Sequence, residues 1–278
     1  METQNNIKAF KNLLDNLNEI QNTKGYTLFF RGHSSIIEGT IIPSIYRDDW
    51  KIRNEHLIFR DSILYSPNEF DKENTAFEKL VKMQHYGIPT RVLDITQNPL
   101  VALYFACNAK KLKNGGSDGE LIIFKIPNKE IKYYDSDTVS ILSNIAKMDA
   151  KFRNPIEDNE KSYNEKLGKL IHEIHAEKSY FHPIIECKDL SRVICVKAKM
   201  NNPRMIRQNG AFLLFGINDL KSQPAEINNK WIQSRIMISL SEKNNILNQL
   251  KKLNITEAFL FPELEKTSKT IVDYYKKN

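Results

Sequence analysis

The chain has 278 residues, 41% hydrophobic and 27% charged, with 41 Lys and Arg against 34 Asp and Glu for a net charge of +7. These proportions are those of an ordinary globular protein and exclude wholesale disorder and a coiled coil. No apolar run approaches the roughly 18 residues of a membrane span, and METQNNIKAF lacks the order of a signal peptide, so no membrane partner and a cytoplasmic location are expected. Cys107, Cys187 and Cys195 show no CxxC spacing and are predicted to be buried thiols. His172 and His175 are one helical turn apart without an HExxH context, and no metal is expected. The positive charge is uneven. Between Leu190 and Asn218 the basic residues Arg192, Lys197, Lys199, Arg204 and Arg207 occur with no acid, a local field that attracts phosphate-bearing partners.

In chain order, Ile7, Phe10, Leu13, Leu14, Leu17 and Ile20 recur at three- and four-residue steps and predict an amphipathic helix over 4–20. TLFFRG reads as a strand ending at Gly32. Helices are predicted over 49–65 and 70–86, separated by the break at Ser66, Pro67 and Asn68. IPTRVLD has strand character, and NPLVALYFAC is apolar all round, as in a helix buried on every side. GGSDG at 115–119 predicts a turn and LIIFKI a strand. Residues 137–178 are polar and helical and read as an insertion or lid. RVICVKAK, AFLLFGI and SRIMISL predict three further strands, with helices near 243–253 and 263–277. Strands and helices mix without regular βαβ alternation, so the expected class is α+β.

Several polar residues lie in apolar surroundings. Arg31 ends an apolar strand, and its guanidinium either grips a phosphate bidentately or pairs with a buried carboxylate such as Asp94. Strand alternation puts Thr90, Asp94 and Thr96 on one face, and Arg91 on the other. The face holding Asp94 either opens into a pocket or carries an internal network, with Thr96 or Asn98 capping the following helix. Tyr104 on that helix is either core or a ring that stacks on a flat ligand. Gln208, next to Arg207, stands at the entrance to AFLLFG as a contact group or a turn residue. A nuclease is disfavoured, because the clustered carboxylates of two-metal chemistry are missing.

Four strings together resemble the FRG-domain family: LFFRGHSS at 28–35 with PSIYR at 43–47, QHYGIPTRVLDITQNPLVALYFAC at 84–107, RMIRQNGAFLLFG at 204–216, and LFPELEK at 260–266. Their order is similar to that of the ADP-ribosyltransferases, in which a first strand ends in the Arg or His that holds NAD. A second strand and its helix then carry the nicotinamide, and a third strand is led by Glu or Gln. The resemblance implies one FRG domain over 1–278, with a helical N-terminal segment 1–24 and a helical insertion over about 137–178. It also implies an ADP-ribosyltransferase-like split mixed or antiparallel sheet core with flanking helices.

By the same resemblance NAD is the substrate, held by Arg31, Gly32, His33, Thr90, Arg91, Thr96 and Tyr104. Arg31, Asp94 and Gln208 are the implied catalytic residues for transferring ADP-ribose to a macromolecule. The usual third residue of that superfamily is Glu, whereas no acid lies between Asp189 and Asp219 here. Either Asp94 serves, or positioning alone suffices, or the chain is a non-catalytic nucleotide- or partner-binding module. Lys197, Lys199, Arg204 and Arg207 are expected nucleic-acid contacts, which makes RNA or DNA one acceptor class and a protein side chain the other. Such a transferase would suit a bacterial toxin, with an antitoxin as protein partner, or a phage-defence effector.

Overall fold

The computed structural model describes residues 24–36, 41–108, 117–156 and 160–263, with positions 11, 13, 15, 17, 18 and 20 ahead of them. Of the helix predicted over 4–20, positions 11, 13, 15, 17 and 18 are helical and Leu13 is buried. Residues 115–116 of the predicted turn and 264–277 of the last predicted helix lie outside the described residues.

Seven strands form one sheet: β1 (Tyr26–His33), β2 (Val92–Thr96), β3 (Gly119–Pro127), β4 (Ile131–Tyr133), β5 (Val193–Lys197), β6 (Gly210–Phe215) and β7 (Ile232–Ile238). Their order is β4-β5-β6-β2-β1-β3-β7, antiparallel at every junction except the parallel pair β4 and β5. The fold is therefore α+β on a mixed sheet. Three-residue β4 has no readable alternation, which is why the sequence did not announce it.

Between β1 and β2 run α1 (Asp49–Arg53), α2 (Glu55–Tyr65), α3 (Pro67–Phe70) and α4 (Ala76–His85), and α5 (Pro99–Cys107) follows β2. Helices α6 (Asp137–Asn144), α7 (Glu160–Lys166), α8 (Gly168–Glu177) and α9 (Cys187–Leu190) separate β4 from β5. Then α10 (Pro203–Gln208) precedes β6, while α11 (Leu240–Lys252) and α12 (Glu257–Leu260) follow β7. Local sequence explains several boundaries. Thr75 and Glu78 form a reciprocal capping box at the start of α4. Asn98 caps α5, with Pro99 in its first turn. Asn209 adopts the left-handed conformation at φ 44°, which stops α10 and turns the chain into β6.

One face of the sheet carries two separate helical layers. Over β5, β6 and β2, the side chains Phe77, Leu80, Met83, Val139, Leu142 and Ile174 pack against Val92, Val196, Phe212 and Leu214. Over β1 and β3, Val101, Leu103, Ile246 and Leu250 pack against Phe30, Leu121 and Ile123. The segment 137–178 is thus no lid. Val139, Leu142, Ile145, Leu170 and Ile174 are buried in the first layer, and burying each such side chain is worth about 1.5–3 kcal/mol. Polar faces on its helices are what make it look like a lid in the sequence. The opposite sheet face is covered by Ile41, Tyr46, Ala225 and Trp231 over Phe29, Leu93, Phe124 and Leu213.

The sheet is divided between its layers. β1 pairs with β3 from Tyr26↔Pro127 to His33↔Glu120, and β2 pairs with β6 along its length, but β1 and β2 meet at Phe30↔Thr96. Helix α5 spans the division. It follows β2 in the chain yet lies on β1 and β3, where a Cβ at Gly32 would fall 1.9 Å from the Ala102 carbonyl oxygen and one at Gly119 2.3 Å from that of Ala106. Glycine at both positions is what lets the helix backbone come so close.

Candidate functional site

A cavity of about 200 Å³ opens where β1 and β2 diverge, between the two helical layers. Its wall holds Phe30, Val101, Ala102, Phe105, Met205 and Phe212, with Arg31, Asp94, Thr96, Arg204 and Gln208 as the polar groups. Three segments distant in sequence, β1, β2 and α10, therefore bring Arg31, Asp94, Thr96 and Gln208 to one concavity, as expected of a site built from strand ends. The volume is below the roughly 300–1,000 Å³ of typical ligand pockets, so the enclosed part seats one ring-sized group.

Arg31 bridges the division. Its Nη1 donates to the Asp94 carbonyl at 2.6 Å, and its Nε donates to His33 Nε2 at 2.8 Å. The pairing considered from sequence was with the Asp94 carboxylate, whereas the bond formed is to the Asp94 backbone. That carboxylate accepts from Gln84 Nε2 at 2.8 Å, and Gln84 Oε1 accepts from the Thr90 hydroxyl at 2.8 Å. Thr90 is fully buried and stands behind Asp94 rather than in the cavity wall.

Thr96 and Gln208 are joined through the backbone. The Thr96 hydroxyl donates to the Gln208 carbonyl at 2.5 Å and accepts from the Asn98 amide at 2.9 Å. Gln208 ends α10 rather than standing in an extended strand entrance, and its Nε2 donates to the Leu260 carbonyl at 3.1 Å. Arg207 Nη1 donates to the Ala258 and Phe259 carbonyls, so α10 and α12 are stitched together at the cavity rim.

Besides Thr90, three more expected cofactor-binding residues are placed elsewhere. Arg91 is fully buried: Nε and Nη2 donate to the two Glu55 carboxylate oxygens at 2.9 and 2.5 Å, and Nη1 reaches the Phe215 carbonyl. Buried Lys221 completes the cluster, 3.1 Å from Glu55. Burial alone would raise the Glu55 pKa, but Arg91 and then Lys221 hold it below the usual carboxylate value. Burial also lowers Lys221 to about 8. Tyr104 faces the α5 and α11 layer, with its hydroxyl accepting from Asn108, and the α5 ring in the cavity wall is Phe105. An all-apolar helix carries no phase from which to choose between adjacent aromatics. His33 lies behind Arg31, buried, with its Nδ1 3.6 Å from Glu120 Oε2.

The basic stretch is not one-sided in space. Lys199 pairs with Glu78 at 2.7 Å and lies over the Tyr134 ring, and Arg192 pairs with Asp189 at 2.6 Å. Arg204 donates to the His85 carbonyl and stacks on Phe261. An acid and a carbonyl from distant segments thus engage Lys199 and Arg204, while Arg192 pairs with the acid that immediately precedes the stretch. Lys197 and Lys199 also do not share a strand face, because β5 ends at Lys197. Alternation sets Lys197 on the face of Cys195, away from the cavity, while Lys199 turns to α4.

Sequence reasoning also missed Gln84, Glu120 and Arg235. Arg235 Nη1 donates to Glu120 Oε1 at 2.9 Å, and each of the three acquires its role only from strand pairing or helix packing. Cys107 and Cys195 are buried thiols raised to about 12 by burial, whereas Cys187 is half-buried. His175 packs edge-on against Phe181. Among the described residues no cluster of three or more His, Cys, Asp and Glu could hold a metal ion, and no helix is long and apolar enough to cross a membrane.

Residues 26–115 match the family model of the FRG domain. That span holds β1, β2 and α5, the elements of the first two strings, while the third and fourth strings lie beyond it. No curated protein and no solved structure matches the chain.

Proposed function

Taking the chain as a protein that carries an FRG domain, we propose that it is an NAD-dependent ADP-ribosyltransferase whose nicotinamide-ribose end enters the cavity between β1 and β2. One observation carries the reading: Arg31, Asp94, Thr96 and Gln208, from three separate segments, line a single ring-sized cavity at a split in the sheet. The split, with Arg31 on the first strand and α5 beside it, is the arrangement implied by an ADP-ribosyltransferase-like core.

In this reading the flat nicotinamide packs among Phe30, Phe105 and Phe212, and Arg31 faces the pyrophosphate. As the bond from the ribose C1′ to the nicotinamide nitrogen lengthens, its electron pair leaves with the ring and positive charge develops on the ribose. Asp94, the carboxylate among the lining residues, opposes that charge and receives the proton that the acceptor loses on attacking C1′. Gln84 orients Asp94, and Gln208 faces the ribose hydroxyls. Positioning supplies the remainder of the catalysis.

A second reading, a nucleotide-binding module without turnover, is favoured by the bond from Gln208 to Leu260, which occupies the amide where the superfamily has a Glu. One experiment separates the two. The chain is incubated with NAD labelled in its adenylate half, with RNA, DNA and lysate protein as separate acceptors. Label on one acceptor with nicotinamide release supports the transferase and names the acceptor class. Saturable binding without release supports the module, and neither outcome in any arm overturns both.

A further inference from the structure

A polar chain crosses the three strands behind the cavity. Arg31 and His33 are on β1, Glu120 is opposite His33 on β3, and Arg235 on β7 donates to Glu120 Oε1 at 2.9 Å. His33 and Glu120 are both buried. We propose that His33 is a positioning residue: as a neutral imidazole with its proton on Nδ1, anchored by Glu120, it fixes the Arg31 guanidinium at the mouth of the cavity. The role of Arg31 toward NAD rests on the functional reading above, whereas the tautomer does not.

Geometry dictates the tautomer. Arg31 Nε is a donor that cannot lose its proton, so His33 Nε2, 2.8 Å away, must be the acceptor and be unprotonated. The ring proton is then on Nδ1, which faces Glu120 Oε2 at 3.6 Å. Both atoms are buried and neither has another hydrogen-bond partner among the described residues, and the gap is too short to admit a bridging water. They are left for each other, a contraction of a few tenths of an ångström short of a bond. Protonating the ring would place a hydrogen on Nε2 against Arg31, and burial together with Arg31, Arg47 and Arg235 accordingly holds the imidazole neutral, down to about 3. Glu120 is itself held by Arg235, so the chain is anchored in the β3–β7 ladder at the end remote from the cavity.

The primary test is long-range proton–nitrogen NMR of the 15N-labelled full chain at neutral pH. A neutral His33 with a protonated Nδ1 and a bare Nε2 is expected, and in Arg31→Ala the freed Nε2 should gain proton occupancy while Nδ1 keeps its proton toward Glu120. A charged ring, or a proton on Nε2 in the wild type, overturns the inference. The second test is NAD affinity by calorimetry. His33→Gln offers an amide oxygen near the Nε2 position and should bind within about threefold of the wild type. His33→Phe keeps the shape without an acceptor and should bind at least about tenfold more weakly, the loss typical of one hydrogen bond to a charged group. Equal affinities of the two variants overturn the positioning role. If His33→Phe does not fold, His33→Gln and the tautomer still decide. If NAD does not bind the wild type, the functional reading falls, and the tautomer in the wild type and Arg31→Ala alone decides whether His33 holds Arg31.

Discussion

Arg31 and Arg91 stand in similar strings, each on or next to a short apolar strand, and the fold gives them opposite surroundings. Arg91 donates through Nε and Nη2 to the Glu55 carboxylate, fully buried, with Lys221 at the same carboxylate. Arg31 donates through Nε and Nη1 to an imidazole and a backbone carbonyl, at the wall of a cavity. One arginine welds α2 and the start of β2 to the 215–221 segment, and the other stands where two strands part. The contrast teaches that an arginine in an apolar string is classified by its acceptors, and those come from other parts of the chain.

The comparison breaks most easily at the buried cluster. Glu55→Ala leaves Arg91 and Lys221 buried without their shared carboxylate and should lower stability by about 3–5 kcal/mol in urea denaturation. A loss under about 1 kcal/mol would mean that the cluster rearranges and that Arg91 is not a weld.

Arg31→Ala should abolish NAD-dependent labelling while lowering stability by only about 1–3 kcal/mol, the loss expected when the Asp94 carbonyl is left without that donor. Loss of labelling together with a collapse of Tm as large as that of Glu55→Ala would instead make Arg31 a second weld.

Acid sharpens the distinction further. His33 has a folded pKa lowered to about 3, below its unfolded value, so between about pH 6.5 and 3 the unfolded chain binds the extra proton. Stability contributed by neutral His33 is present above that window and lost as pH falls through it, by at most about 1.4 kcal/mol per pH unit. His85, lowered to about 4 by burial and then Arg204, adds a loss of the same sign. The difference in slope between wild type and His33→Gln isolates His33, and identical slopes would show that His33 does not titrate in this way.

The smallest effect is expected at the surface. Replacing Lys197 and Lys199 by Gln should change the salt dependence of single-stranded RNA binding by less than one phosphate contact, a slope of about 0.7, because Lys199 is engaged by Glu78. A larger flattening would restore the polyanion track and favour a nucleic-acid acceptor.

Periodicity carried much of the fold. Short apolar, β-rich runs identified β1, β2, β3, β5, β6 and β7, and the Asn-Pro start and apolar run of α5 were readable before any packing was known. Convergence of Arg31, Asp94 and Gln208 was legible because polar residues at the ends of apolar strands tend to meet. What was not legible depended on partners that only packing supplies: Glu55 for Arg91 and Glu78 for Lys199, both remote in sequence, and Gln84, ten residues away on α4, for Asp94. Nor could the sequence distinguish Tyr104 from Phe105, since both lie on a helix with no polar face.

The division of the sheet has a mechanical consequence. A continuous ladder resists shear through many parallel bonds, whereas here the junction between β1 and β2 rests on the Phe30↔Thr96 pair and the Arg31 bond to Asp94. Helix α5 then acts as a pin, tied to one half by chain connectivity and pressed against the other at Gly32 and Gly119. A small rotation about that pin would widen or narrow the cavity without breaking either strand ladder. The sparsest junction in the sheet thus coincides with the cavity, and ligand occupancy there should appear as slowed amide exchange at Thr96 and Gln97.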